Sequence, residues 1–322
     1  MRFVLESGRR VAVHFTRTRA IWPDPEGQDR DHSLVVFCHC APGAGPFDPD
    51  PARTHASDVT LLALDRPGYG RSDPIGAERW ATVASAADDI AAVLDSLGTG
   101  RVGVVGWSAG GRVALALAAR RPDLVNRVVV AATPAPDEEV PWIDPAQRAE
   151  LERLRTLAPE DVHAELHARL ASLVPDDPFS GEALWLLAAV TSDEPVLSKP
   201  GVRERLGEML RAAFAQGTAG LAADIAGYCL QPWGFEPATV EARTLLLYGS
   251  HDPLAGPAHG RWWSKRLPNA HLEVISDAGH LLVIPMWPRV LSHLVPDRDR
   301  LRVLAGLGEN EAGGDFEEFT AA

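Results

Sequence analysis

One stretch limits what this chain can fold into more than any other. Val102-Gly103-Val104-Val105-Gly106-Trp107-Ser108-Ala109-Gly110-Gly111 is an apolar run of strand length that breaks at a glycine, passes through a single serine and continues as a helical pattern to Arg121. A short run without polar alternation belongs to a strand buried on both faces, which needs strands on either side and helices above and below. Gly106 and Gly110 let a sharp strand-to-helix turn pass without side-chain clashes. Ser108 therefore projects at the strand's carboxyl end and at a helix amino terminus, where the partial positive charge favours a developing anion.

The same rhythm recurs along the chain. Arg2 to Glu6 and Val11 to Thr16 alternate polar with apolar residues around Ser7-Gly8-Arg9-Arg10, which predicts an opening hairpin. A Pro- and Asp-rich loop follows, and then the short apolar runs Leu34 to Cys38, Val59 to Leu64, Val102 to Val105, Arg127 to Ala132, Thr244 to Tyr248 and Leu272 to Ile275. Helical patterns at Glu78 to Leu97, Gly110 to Arg121 and Pro257 to Leu267 lie between several of them. Strands alternating with helices make a mostly parallel, doubly wound α/β sheet.

Residues 133–239 break the rhythm. Helical stretches at Gln147 to Leu157, Glu182 to Thr191 and Val202 to Phe214 are interrupted by Pro175, Pro178, Pro195 and Pro200, and no convincing strand appears. The expectation is a core made of 1–132 and 240–300 with a helical lid inserted at 133–239. Residues 308–322, with five acidic side chains, read as a solvated, disordered tail.

A serine hydroxyl is a weak nucleophile and needs a base, and the base needs a partner that fixes its tautomer and stabilises its charged form. In a strand–elbow–helix fold the chain order is serine, acid, histidine. Leu245-Leu246-Leu247-Tyr248-Gly249-Ser250-His251-Asp252-Pro253 places Asp252 just past one strand, and Ser276-Asp277-Ala278-Gly279-His280-Leu281 places His280 just past the next. Both reach the sheet edge that carries Ser108.

With these motifs in order, the chain resembles the serine-nucleophile branch of the α/β-hydrolase superfamily over roughly residues 1 to 295. Asp65-Arg66-Pro67-Gly68-Tyr69-Gly70-Arg71-Ser72 is similar to the superfamily's loop after its fourth strand, Gly249 to Pro253 matches Gly-x-x-Asp-Pro, and Ala278-Gly279-His280 matches its closing histidine loop. His39-Cys40-Ala41-Pro42-Gly43 resembles the superfamily's His-Gly-x-Pro-Gly loop, with Cys40 in place of the usual glycine. The resemblance implies an oxyanion hole from the backbone N–H groups of Ala41 and Ala109, with the Cys40 N–H as the alternative. It also implies a Ser108–His280–Asp252 triad that cleaves a small-molecule carboxylic ester or related acyl compound through an acyl-enzyme. Proline-iminopeptidase-like, thioesterase, carbon–carbon hydrolase and cofactor-free perhydrolase chemistry use the same triad. A non-catalytic ligand receptor on the same scaffold is a reading of another class.

Several residues admit plainer readings. Asp137, after the strand ending at Ala132, is the alternative acid; Asp277 is a turn residue; His251 and His259 read as surface or loop histidines. Trp107 and Tyr69 can serve as core or as pocket wall. Trp185, Leu186 and Leu187 read as packing the lid onto the sheet, and Pro232-Trp233-Gly234-Phe235 as anchoring the lid's return. His163 and His167 share a helix face but lack the glutamate placement of a metalloprotease, and Cys38-His39-Cys40 lacks zinc spacing, so no metal is expected. Gly106 to Gly111 lacks the lysine of a phosphate loop, so no nucleotide or other cofactor is expected.

The formal charge of −13 argues against nucleic acid as a partner, since phosphate binding needs clustered cations. Lys199 and Lys265 are the only lysines, which disfavours Schiff-base chemistry. Three cysteines make no disulfide framework, and no segment approaches the roughly 20 apolar residues of a membrane span, so the expectation is a cytoplasmic protein acting on a small molecule.

Overall fold

The computed structural model describes residues 1–16 and 33–296. The Pro- and Asp-rich stretch after Thr16 and the acidic tail lie outside the described residues. The opening hairpin is β1 (Arg2–Val4) and β2 (Arg10–Phe15), paired antiparallel. β3 (Ser33–Cys38), α1 (Pro51–Ala56), β4 (Val59–Leu64), α2 (Val83–Leu97), β5 (Val102–Trp107), α3 (Ala109–Arg120) and β6 (Val125–Ala131) follow, and β8 (Arg243–Gly249), α9 (Pro257–Arg266), β9 (Ala270–Ile275) and α10 (Trp287–Leu294) close the described chain.

Eight strands form one sheet in the order β1-β2-β4-β3-β5-β6-β8-β9. β2 meets β4 antiparallel, and every pairing from β4 to β9 is parallel. All six residues of β4 and of β5 are buried, as unalternated apolar strands in mid-sheet should be. β9, at the edge, has no fully buried residue. α2 begins later than its periodicity suggests because Thr82 caps it, its side chain accepting the Ser85 N–H, and it ends at Gly98, whose φ of 60° suits glycine.

Between β6 and β8 the chain leaves the sheet through α4 (Pro145–Leu154), α5 (Pro159–Leu170), α6 (Glu194–Leu197), α7 (Val202–Ala213), a short extended segment β7 (Ala215–Thr218) outside the sheet, and α8 (Ala219–Cys229). α4, α5 and α6 each carry a proline in the first helical positions, where no N–H is needed; Pro195 starts a helix rather than only breaking one. The stretch expected as a helix from Glu182 is a single 3₁₀ turn at Ala183–Leu187. Leu154, Val162, Leu166, Ala222, Ala226 and Leu230 give the inserted helices α4, α5 and α8 a small core of their own. Trp185 is 78% exposed and does not pack on the sheet, whereas Leu184 and Leu187 are buried. Trp233 does anchor the return, stacked on Trp263 at 5.4 Å and lying under the Arg112 guanidinium at 4.4 Å. No helix among the described residues is long and apolar enough to cross a membrane.

Candidate active site

Three loops at the carboxyl edge of the parallel strands meet around Ser108. The turn from β5 into α3 holds Ser108 at φ 55°, ψ −122°, a left-handed conformation strained for a residue with a Cβ. The surroundings over-determine it. Ser108 donates its N–H to Ala131 O at 2.8 Å, and its carbonyl accepts from Gly111 N–H at 3.0 Å and from the Thr133 hydroxyl at 2.8 Å. The glycines are required by contact: a Cβ on Gly106 would sit 2.3 Å from Gly110 O, and one on Gly110 would sit 2.0 Å from Cys38 O.

Asp252 and His280, 28 residues apart, come together because β8 and β9 are neighbours. Asp252 Oδ2 lies 2.8 Å from His280 Nδ1, while Oδ1 accepts the N–H groups of Leu254 and Ala255, each at 2.9 Å. Burial acts to raise the Asp252 carboxyl, but His280 and the two backbone donors outweigh it and hold the carboxyl below its ordinary range. Since that carboxylate accepts from Nδ1, the Nε2 atom of His280 is left as the acceptor. Ser108, Asp252 and His280 are all buried, at 5%, 7% and 2% exposure. Among the described residues no hydrogen bond joins the Ser108 hydroxyl to the imidazole, a contact that often tightens only when substrate is bound.

Trp107 is fully buried against Phe47 and the His280 ring, and its indole N–H donates to His280 O at 2.9 Å. Tyr69 is also buried, edge-on to His39 at 5.3 Å. In the loop after β3, the N–H groups of Cys40 and Ala41, like that of Ala109 at the start of α3, donate to no protein acceptor among the described residues. The Cys40 thiol is buried and pushed up to about 12 by that burial, so it is protonated at neutral pH.

Other sequence candidates are engaged elsewhere. Asp137 accepts from Trp142 N–H, Ile143 N–H and Arg148, away from the histidine. His259 is not a surface residue: it is 5% exposed and its Nδ1 accepts the Ala135 N–H at 3.0 Å, and burial lowers its pKa. His251 does lie outside, its side chain 58% exposed and 3.6 Å from Asp277. His163 bonds Arg79 O and His167 bonds Thr218, so the pair does not converge.

Sequence reasoning missed Asp193. This residue of the inserted segment is 1% exposed, its carboxylate accepts Leu281 N–H at 3.2 Å and Val190 N–H at 3.1 Å, and a Cβ on Gly279 would strike it. Burial raises its pKa. It ties the insertion to the turn that carries His280, and nothing in its local sequence signals the contact, which spans 88 residues.

The fold and this edge-of-sheet constellation define the class. The alpha/beta hydrolase fold family matches residues 33–285, and the chain belongs to that family; it is a hydrolase by class. It is 28% identical over 261 residues to a putative carbamate hydrolase RutD of Caulobacter sp. strain K31, covering 79% of this chain and 86% of that one. It is 29% identical over 225 residues to a pimeloyl-[acyl-carrier protein] methyl ester esterase of Neisseria meningitidis serogroup B, covering 68% and 75%. Among solved structures, a thermophilic esterase from Thermogutta terrifontis shares the fold with a TM-score of 0.64 at 23% identity, over 94% of this chain and 97% of that one.

Proposed function

We propose that this chain is a serine hydrolase that cleaves a small-molecule carboxylic ester or related acyl compound through an acyl-enzyme. The observation that carries the reading is the buried 2.8 Å contact between Asp252 and His280 at the sheet edge where the elbow holds Ser108. Ser108 Oγ attacks the substrate carbonyl while His280 Nε2 takes its proton; the tetrahedral oxyanion accepts from the N–H groups of Ala41 and Ala109; His280 returns the proton to the leaving alkoxide. Water, deprotonated by the same imidazole, then attacks the acyl carbon and releases the acid and Ser108. The inserted segment acts as the lid over this site and sets the acyl and leaving-group preference. Esterase and carbamate hydrolase relatives support the carbonyl–heteroatom bond as the one broken. Hydrolysis of a p-nitrophenyl ester series of increasing acyl length, in wild type and Ser108→Ala, tests the reading. Turnover that disappears in the variant supports it, and a folded Ser108→Ala protein retaining full turnover refutes it.

A further inference from the structure

We infer that the buried Arg66–Asp224 pair is a positioning device for the oxyanion loop, through which the inserted helix α8 holds the peptide N–H groups of Cys40 and Ala41 in place. The inference rests on the serine-hydrolase reading and adds to it two residues outside the triad, standing 158 positions apart.

Arg66 lies in the loop after β4 and is 6% exposed; Asp224 lies on α8 and is 4% exposed. The carboxylate takes Arg66 Nε at 3.0 Å and Nη2 at 2.6 Å. The rest of the guanidinium reaches into the loop after β3: Nη1 donates to His39 O at 2.6 Å, and Nη2 donates to Cys40 O at 2.7 Å. Those carbonyls belong to the peptide units whose N–H groups are those of Cys40 and Ala41. Both units are trans, so each N–H points away from the gripped oxygen. One cation therefore sets the direction of both candidate donors, whichever of them meets the oxyanion.

The neighbouring ring strengthens the grip. His39 Nε2 accepts the Arg66 N–H at 3.3 Å, which leaves the proton on Nδ1 to donate to Cys40 O at 2.7 Å. Cys40 O thus receives two donors, one of them charged, and this polarises the peptide toward a stronger N–H at its far end. The loop abuts the elbow directly, since a Cβ on Gly110 would meet Cys38 O at 2.0 Å and His39 O at 2.6 Å. A lysine would not serve at position 66, because a point charge cannot span two carbonyls and a carboxylate at once.

The test compares kcat and KM for a p-nitrophenyl ester, and the affinity of a trifluoromethyl ketone that forms a serine hemiketal, in wild type, Ser108→Ala, Asp224→Asn and the double variant Arg66→Met/Asp224→Leu. The double variant removes both charges together and leaves no uncompensated ion, so it decides the matter if Asp224→Asn does not fold. Near-ultraviolet circular dichroism confirms the fold. The expected result is a kcat lower by about tenfold or more, part of the roughly 10²–10³ lost when an oxyanion donor is removed outright, with KM within about twofold and ketone affinity falling in step with kcat. A folded variant with wild-type kcat, or one in which only KM rises, overturns the positioning role while leaving the triad standing. Turnover retained by Ser108→Ala overturns the nucleophile and this inference together.

Discussion

Asp252→Asn removes one charge and almost no volume, and the structure says which way the new amide must face. Oδ1 of Asp252 accepts two backbone N–H groups and Oδ2 faces a single imidazole nitrogen. An asparagine that kept its oxygen on Leu254 and Ala255 retains two hydrogen bonds; turned over, it sets an NH₂ against two donors and loses both, at about 1 kcal/mol each before the unsatisfied donors are counted. The amide NH₂ is therefore fixed toward His280 Nδ1, which must become an acceptor, and the imidazole proton moves to Nε2. A histidine protonated there cannot accept the Ser108 proton, so kcat should fall by about 10⁴. The assay is steady-state hydrolysis of p-nitrophenyl acetate at pH 8, with thermal unfolding as control. A folded variant within about tenfold of wild type would show that Asp252 does not set the tautomer. The pH dependence of stability gives a second reading. The Asp252 pKa is depressed in the fold, so its contribution is complete above the unfolded value of about 3.9 and is lost as pH falls through the folded one. The stability gap between wild type and Asp252→Asn should narrow on acidification.

Two further outcomes follow from local geometry. Gly110→Ala forces the loop after β3 to retreat by roughly 1 Å from the elbow, which should cost about 10²-fold in kcat and about 1–3 kcal/mol in unfolding free energy, read by kinetics and urea denaturation. Asp48, whose carboxylate accepts from the Thr54 hydroxyl and the Asp50 N–H, is pushed up to about 6 by burial, so the fold keeps its proton longer than the unfolded chain and loses stability as pH climbs from about 4 to 6. Asp48→Asn should remove that slope, gaining up to about 2 kcal/mol over wild type at pH 7 relative to pH 4.5 in urea unfolding; parallel curves would refute it.

What could be read from sequence follows from what is local. β3, β4, β5, β6 and β8 were legible because a strand buried on both faces shows as an unbroken apolar run, and the elbow because glycine is required where backbones touch. Asp252 and His280 were legible because each sits just past such a run. The inserted segment was harder: its helices are short, its prolines start helices as well as end them, and its core of Leu154, Val162, Leu166 and the α8 alanines forms only on packing. His259 looked like a loop histidine because its partner, the Ala135 N–H, lies 124 residues away. Asp193, Arg66 and Asp224 bond across 88 and 158 residues, and no spacing rule reaches that far.

The root of the insertion is bonded to the elbow itself. Thr133, fully buried, gives its hydroxyl to Ser108 O, and its own carbonyl accepts from the Tyr248 hydroxyl at 2.8 Å and the Trp263 indole at 3.2 Å. Two residues later, Ala135 is tied to His259. For anyone who would exchange this segment with that of another enzyme, the graft boundary belongs after Ala135, and the incoming segment must keep an aspartate at the places of Asp193 and Asp224. Within those limits new specificity can be written into the chain without rewriting the turn that holds its serine.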